Sequence, residues 1–265
     1  MLTRICVAYD TGREAGWALQ FAAQLARRTS ARLTLAHVAP ADDEPVDDDE
    51  RLRFELIGHS EAVRRRQRLN GCALGLGADV RVDVDMVVGP VASGLLELVR
   101  GRPPDLLLAG SRPGRLRQLG PRLTHTLLAA VPCPVVLVRS RPAPDSEPVM
   151  LECGSAGGRE LAAALGWRLA RCRLPAGRLD RRGLLALRAA QRRYRPRLVV
   201  TARERCCALR AAAGISRVEA LLDTLECPVL FAATECGADP IYSPPGSRQA
   251  PVMLPSATSH PGSPR

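Results

Sequence analysis

The residues that could do chemistry are few and scattered. Four arginines, Arg112, Arg115, Arg117 and Arg122, fall within eleven residues that hold no acid. A guanidinium can grip phosphate oxygens in pairs, so this stretch is a candidate anion contact. The competing reading is a solvated arginine loop. His125 lies in a helical pattern as a lone histidine with no partner in view. Nine cysteines are scattered, with no CxxC or Cys/His spacing that suggests zinc or a redox dithiol. The vicinal pair Cys206 and Cys207 reads as neighbours with one side chain facing in. The expectation is reduced thiols serving as small apolar filler in the cytoplasm. No nucleophile elbow, metal-ligand cluster or intact phosphate loop is visible. The residues therefore imply no catalytic role, no metal and no obligatory cofactor.

Charge adds a second clue. The chain has 265 residues, 38 Lys plus Arg, 27 Asp plus Glu and a formal charge of +11. Every cation is arginine. A basic balance raises a nucleic-acid partner, but phosphate contacts alone need only a point charge and would not exclude lysine. Codon bias explains the absence of lysine. The placement is uneven: residues 1–141 carry 20 Arg against 16 acids, and residues 142–265 carry 18 against 11. From Arg159 to Arg217, 16 arginines meet only Glu160, Asp180 and Glu204. Aromatics make up 3%, which argues against stacking platforms for bases. No run of about 18 apolar residues would span a membrane. The opening residues lack the longer apolar region of a signal peptide. The expectation is a cytoplasmic protein with no membrane partner.

These residues need elements to position them. Ile5 to Tyr9 is a short apolar run, as in a strand covered on both faces. It ends at Asp10-Thr11-Gly12, where Asp10 could cap the next helix. Ala15, Ala18, Leu19, Ala22, Ala23 and Ala26 recur at helical spacing. Leu33 to Val38 is a second strand. An acidic loop with Asp42, Asp43, Glu44, Asp47, Asp48, Asp49 and Glu50 follows, then a polar helix over roughly Arg51 to Asn70. Val80 to Val88 alternates and predicts an edge strand. Val91 to Val99 and Leu119 to Ala130 predict helices, and Asp105 to Ala109 and Pro134 to Val138 predict strands. Strand–helix alternation with short connections predicts a doubly wound α/β parallel sheet. Ligands in such sheets sit beyond the carboxyl ends of the strands.

The second half echoes the first. Residues 196–202 parallel 104–110 at an offset of 92, and 226–231 parallel 132–137 at an offset of 94. Two matches at nearly one offset indicate an internal repeat. A strand at Val149 to Cys153 and a helix near Arg159 to Cys172 open this copy, and the shortening predicts a three-stranded core. The expected organisation is a domain over 1–140, a linker over 141–148, a shortened repeat over 149–233 and a disordered, proline-rich tail over 234–265.

Five segments in order resemble the universal stress protein family. They are Ile5 to Asp10, Leu33 to Val38, Val88-Gly89-Pro90, Asp105 to Arg112 and Val131 to Val135. The chain looks like a tandem member with a degenerate second copy. The resemblance implies a Rossmann-like sheet of order 3-2-1-4-5, paired through fifth strands, so that one chain forms a pseudo-dimer, alone or as a homodimer. It also implies an adenine-nucleotide site at Asp10, the backbone of Val38, and Ala109, Gly110 and Ser111. His37 falls where the family often has histidine and reads as structural. Ser111 has a bland reading too, as the residue that finishes a turn.

Nucleotide-binding members carry glycine, two residues, glycine, nine residues, glycine, then serine or threonine, a nest of backbone N–H groups for phosphate. This chain keeps Gly110 but has Pro113 at the second position and Pro121-Arg122 at the last pair. Proline lacks the N–H and fixes φ. Arg122 could substitute a guanidinium for the lost amides. In the second copy Cys153-Gly154 stands for Asp10, and Ala202-Arg203 for Gly110-Ser111. The expected function is a non-enzymatic stress-response regulator with weak or absent ATP or AMP binding. The alternatives are an ATP-binding switch or slow ATPase, and a protein that docks nucleic acid or an acidic partner through Arg159–Arg217.

Overall fold

A computed structural model describes residues 2–39, 62–111, 122–141, 148–153, 158–174, 181–203 and 217–233. The acidic segment 42–50, most of the arginine-bearing loop and the 234–265 tail lie outside the described residues. The first half runs β1 (Arg4–Ala8), α1 (Arg13–Thr29), β2 (Arg32–Ala39), α2 (62–74), β3 (Val82–Val88), α3 (Val91–Gly101), β4 (Leu106–Gly110), α4 (Arg122–Ala130) and β5 (Val135–Val138). The second half runs β6 (Val149–Cys153), α5 (Gly158–Leu165), β7 (Arg168–Arg171), α6 (Arg181–Tyr194), β8 (Leu198–Ala202), α7 (Arg217–Thr224) and β9 (Val229–Ala232).

All nine strands form one sheet of order β3-β2-β1-β4-β5-β9-β8-β6-β7. Within each half the pairings are parallel; the seam between β5 and β9 is antiparallel. The first half has the expected order 3-2-1-4-5, and the seam joins its fifth strand to the corresponding strand of the second half. The register agrees with the sequence offsets. Leu107 pairs with Val135 and Val199 with Val229, which are the same positions moved by 92 and 94.

The second half is longer in strands than expected: four, not three. The helix foreseen from Arg159 to Cys172 stops at Leu165, because Gly166 turns the chain with φ +64. The residues after it make β7, which pairs with β6 as β2 pairs with β1. Among the described residues only α2 and β3 have no counterpart.

Strand alternation sorts the side chains into two layers. One face packs α1, α2 and α5 around Val7, Leu33, Leu35, Met86 and Leu108. The other packs α3, α4, α6 and α7 around Cys6, Ala36, Leu107, Leu137 and Phe231. Burying each large aliphatic side chain contributes about 1.5–3 kcal/mol. Phe21 of α1 meets Trp167, beside β7, with ring centroids 6.3 Å apart and planes tilted 54°, a contact that ties the halves on the α1 face. β3 alternates as an edge should: Val82 and Val84 pack inward while Asp83 and Asp85 occupy the opposite face.

Burial pushes the Cys6 thiol up to about 12 and the Cys133 thiol up to about 11, in Cys133 against a nearby Arg203. Both are thiols at neutral pH and shielded from solvent. Iodoacetamide near about pH 7.5 is expected to leave both unmodified until denaturant is added; peptide mapping of the alkylated protein checks this.

Asp105 clasps the starts of β1 and β4. Its Oδ2 accepts from Thr3 N (2.7 Å), Thr3 Oγ1 (2.7 Å) and Arg4 N (2.9 Å). Burial raises this carboxyl, but the donors outweigh it and its pKa is lowered. A carboxyl lowered in the folded state stabilises above its unfolded value of about 3.9 and ceases to as pH falls through the folded value. Asp105→Ala is expected to cost about 1–2 kcal/mol at neutral pH, allowing for partial exposure. The difference from wild type should vanish at the acid end of a urea-unfolding series.

Candidate functional site

Parallel register gathers the sequence-flagged residues along one rim. Ala8 pairs with both Ala36 and Ala109. Asp10, Val38 and Ser111 each lie two residues further, level with one another beyond or at the carboxyl ends of β1, β2 and β4. This is where the strand order reverses, the usual ligand position in such sheets. By alternation all three share the α3 face. Gly110 belongs to the other face.

Each rim residue already has a structural task. Asp10 is exposed, and its Oδ1 accepts the Gly12 N–H at 2.9 Å. The helix cap is Gly12 itself, with no side-chain cap bond, so the capping role considered for Asp10 is corrected to a local turn two residues long. Thr11 sits at φ 63, and its hydroxyl donates to the Asp10 carbonyl at 2.6 Å. A β-branched residue in that region is strained. Val38 is buried beneath α3. A methyl on Gly94 would meet its Cγ1 at 2.9 Å, so only glycine lets α3 approach this closely. His37 Nδ1 donates to the Tyr9 carbonyl at 2.7 Å and ties the rims of β1 and β2 together. Burial pushes the Tyr9 phenol up to about 12, with help from its bond to Cys72.

Gly110 is a packing glycine. An added Cβ would lie 2.5 Å from Ala15 N and 2.6 Å from Glu14 C, both backbone atoms of α1. Glu14 is 6% exposed and stands in the first turn of α1, where its carboxylate complements the helix dipole. Ser111 is buried; its N–H bonds Val138 O at 2.8 Å, and its hydroxyl accepts from Arg139 Nη2 at 3.4 Å. Ala109 is buried in β4. Arg122 opens α4. Arg112, Pro113, Arg115, Arg117 and Pro121 lie outside the described residues.

Two arginines that sequence reasoning gave no such role cross the seam. Arg139, just after β5, has a side chain only 9% exposed, and its Nη1 pairs with Asp223 of α7. Next to it, the Ser140 hydroxyl donates to the Glu226 carbonyl. Arg203 is 9% exposed; its Nη1 donates to Val131 O at 2.6 Å and its Nη2 to Cys133 O at 2.5 Å. Its backbone matches Ser111: Ser111 N bonds Val138 O, and Arg203 N bonds Ala232 O at 3.3 Å. So where the first half has a small hydroxyl at the rim, the second has a side chain that spans the seam. The alignment of Ala202-Arg203 with Gly110-Ser111 was the signal that could have found it. The strand pairings also make Cys153 the counterpart of Ala8 and not of Asp10.

A cavity of about 270 Å³ lies at the opposite ends of β1 to β3, lined by Arg4, Cys6, Thr34 and the pairs Arg32–Asp83 and Arg102–Asp85. Two of its three arginines are paired with its two aspartates, and it is remote from the rim. Among the described residues no group of three His, Cys, Asp or Glu could hold a metal ion. No described helix is long and apolar enough to cross a membrane.

A family model described as the universal stress protein family matches residues 1–139. The chain belongs to the universal stress protein family. Among solved structures, a universal stress protein from Archaeoglobus fulgidus aligns with a TM-score of 0.59 at 9% identity, over 86% of this chain and 95% of its own. A universal stress protein family member from Burkholderia pseudomallei is 22% identical over 52% of this chain and 97% of its own, with a TM-score of 0.42. An Arabidopsis thaliana family member, solved with AMP bound, is 14% identical over 52% of this chain and 91% of its own, at 0.38. At these identities the likeness is one of fold. No curated protein matches the chain. The universal stress fold thus accounts for the 3-2-1-4-5 half and its switch-point crevice.

Proposed function

We propose that this chain is a non-enzymatic regulatory protein of the universal stress type, with a crevice that takes an adenine nucleotide weakly, by its nucleoside end, and does not grip a triphosphate. The observation that carries this reading is that the rim groups are already engaged. Asp10 holds the Gly12 N–H, Gly110 abuts α1, and the Ser111 hydroxyl faces Arg139. The α1 N-terminus, otherwise attractive to phosphate, carries the Glu14 carboxylate in its first turn. Further along, Pro113 and Pro121 have no N–H to offer a phosphate oxygen. Nucleoside contacts ask less: one carboxylate at Asp10 and the backbone near Val38, level on adjacent strands. The second half, with Arg203 in the serine position, is then the structural half of a pseudo-dimer.

Mass spectrometry of nucleotide released from the purified protein tests this. The expected result is no stoichiometric ATP, and any AMP present only in traces that Asp10→Ala removes. One ATP per chain would instead favour a switch or slow ATPase.

A further inference from the structure

Acids answer the arginines of this chain unevenly: α6, and over a shorter span α2 with Arg64 and Arg68 exposed, lack them. Four other arginines of the first half are paired: Arg13 with Glu14, Arg27 with Asp79, Arg32 with Asp83 and Arg102 with Asp85. On α6, Arg181, Arg182, Arg188, Arg192 and Arg193 are all exposed, and among the described residues none is in an ion pair. The sequence from Arg181 to Arg203 contains no acid at all. Codon bias explains arginine in place of lysine; it does not explain the missing carboxylates.

Helical spacing puts these residues on one side. Arg181, Leu185, Arg188 and Arg192 follow each other at steps of four, three and four, with Arg182 and Arg193 alongside. At 1.5 Å per residue the row extends about 16 Å. The helix gains locally only at its last turn, where Arg192 and Arg193 suit the dipole. Arg181 and Arg182 sit in its first turn, where a cation opposes the dipole, and Arg188 and Arg192 are like charges one turn apart. The apolar side of α6 is used up: Leu187 is fully buried, and Leu184, Ala190 and Tyr194 pack on the sheet. That leaves no wide apolar face to insert into a lipid surface. Leu185 is the one outward apolar side chain of the row, 60% exposed. The one ring beside the row, Tyr194, is half-buried against the core and lies under the Arg193 guanidinium at 5.3 Å, so it offers bases no free face and the recognition available is of phosphates held in a rigid array.

We propose that the outward face of α6 docks the phosphate backbone of double-stranded nucleic acid without reading its sequence. Fluorescence anisotropy of the full chain with a labelled random duplex, over about 50–300 mM salt, tests it. Five phosphate contacts give an expected slope of log affinity on log salt of about −4.5. Arg188→Gln with Arg192→Gln is expected to shrink the slope by about 2 and weaken binding more than tenfold near about 100 mM salt. Arg64→Gln with Arg68→Gln makes the same charge change on α2, across the sheet, and is expected to leave binding within about twofold. Both double variants alter only exposed side chains, and matching unfolding curves confirm their folding. No binding near about 50 mM salt, equal losses in the two variants, or preference for anionic vesicles or polyglutamate over the duplex would each overturn the proposal.

Discussion

Gly110→Ala is expected to destabilise the protein by about 3 kcal/mol, at the top of the usual range for overpacking. The new methyl would strike Ala15 N and Glu14 C, backbone atoms at the start of a 17-residue helix. Backbone cannot swing aside as a flexible side chain can. Relief requires α1 to shift as a body, and α1 carries Ala18, Phe21, Ala22 and Leu25, each no more than 1% exposed, into the core. The effect should be the same with and without added nucleotide, because the residue faces the helix and not the crevice. Urea unfolding in both conditions measures it. A loss below about 1 kcal/mol, or one that appears only when nucleotide is present, would mean that the glycine serves the ligand.

Arg203→Ala is expected to cost about 3 kcal/mol. It deletes a buried guanidinium and leaves the carbonyls of Val131 and Cys133 without their donors. Those carbonyls lie just past the C-terminal end of α4, where a cation also meets the favourable end of the helix dipole. Two carbonyls reached by two separate nitrogens suit the planar fork, so Arg203→Lys should recover less than half of the loss. Equilibrium unfolding of wild type and both variants decides this. If Arg203→Lys behaves as wild type, a point charge is enough; if Arg203→Ala costs under about 0.5 kcal/mol, water replaces the side chain and the seam rests on β5 and β9 alone.

Much of the architecture was legible in the residues. Apolar runs such as Leu106–Leu108 and Val135–Val138, alternating with helical patterns, read as strands covered on both faces, and the offsets of 92 and 94 foretold the equivalence of β4 with β8 and β5 with β9. β7 was not legible. Arg168-Leu169-Ala170-Arg171 continues a helical spacing, and only Gly166 and pairing with β6 turn it into a strand. The rim was legible as a set of positions, because register follows from strand ends. Its wiring was not. Asp10 reads as a cap until the helix is seen to begin one residue after Gly12. Arg139 carries no local signal of its role, because its partners, Ser111 and Asp223, are 28 and 84 residues away. Contacts of that range depend on how the two halves meet, and no local period encodes them.

The central claim is that the phosphate end of the crevice is gone while the nucleoside end remains. Isothermal titration with ATP, ADP and AMP on the wild-type chain and on Arg122→Ala tests it most directly. Weak or undetectable heats are expected, with the three nucleotides alike within about threefold and Arg122→Ala unchanged, since phosphates that find no donors add no affinity. ATP binding more than about tenfold tighter than AMP, with the difference abolished in Arg122→Ala, would show a guanidinium in place of the missing amides and contradict it.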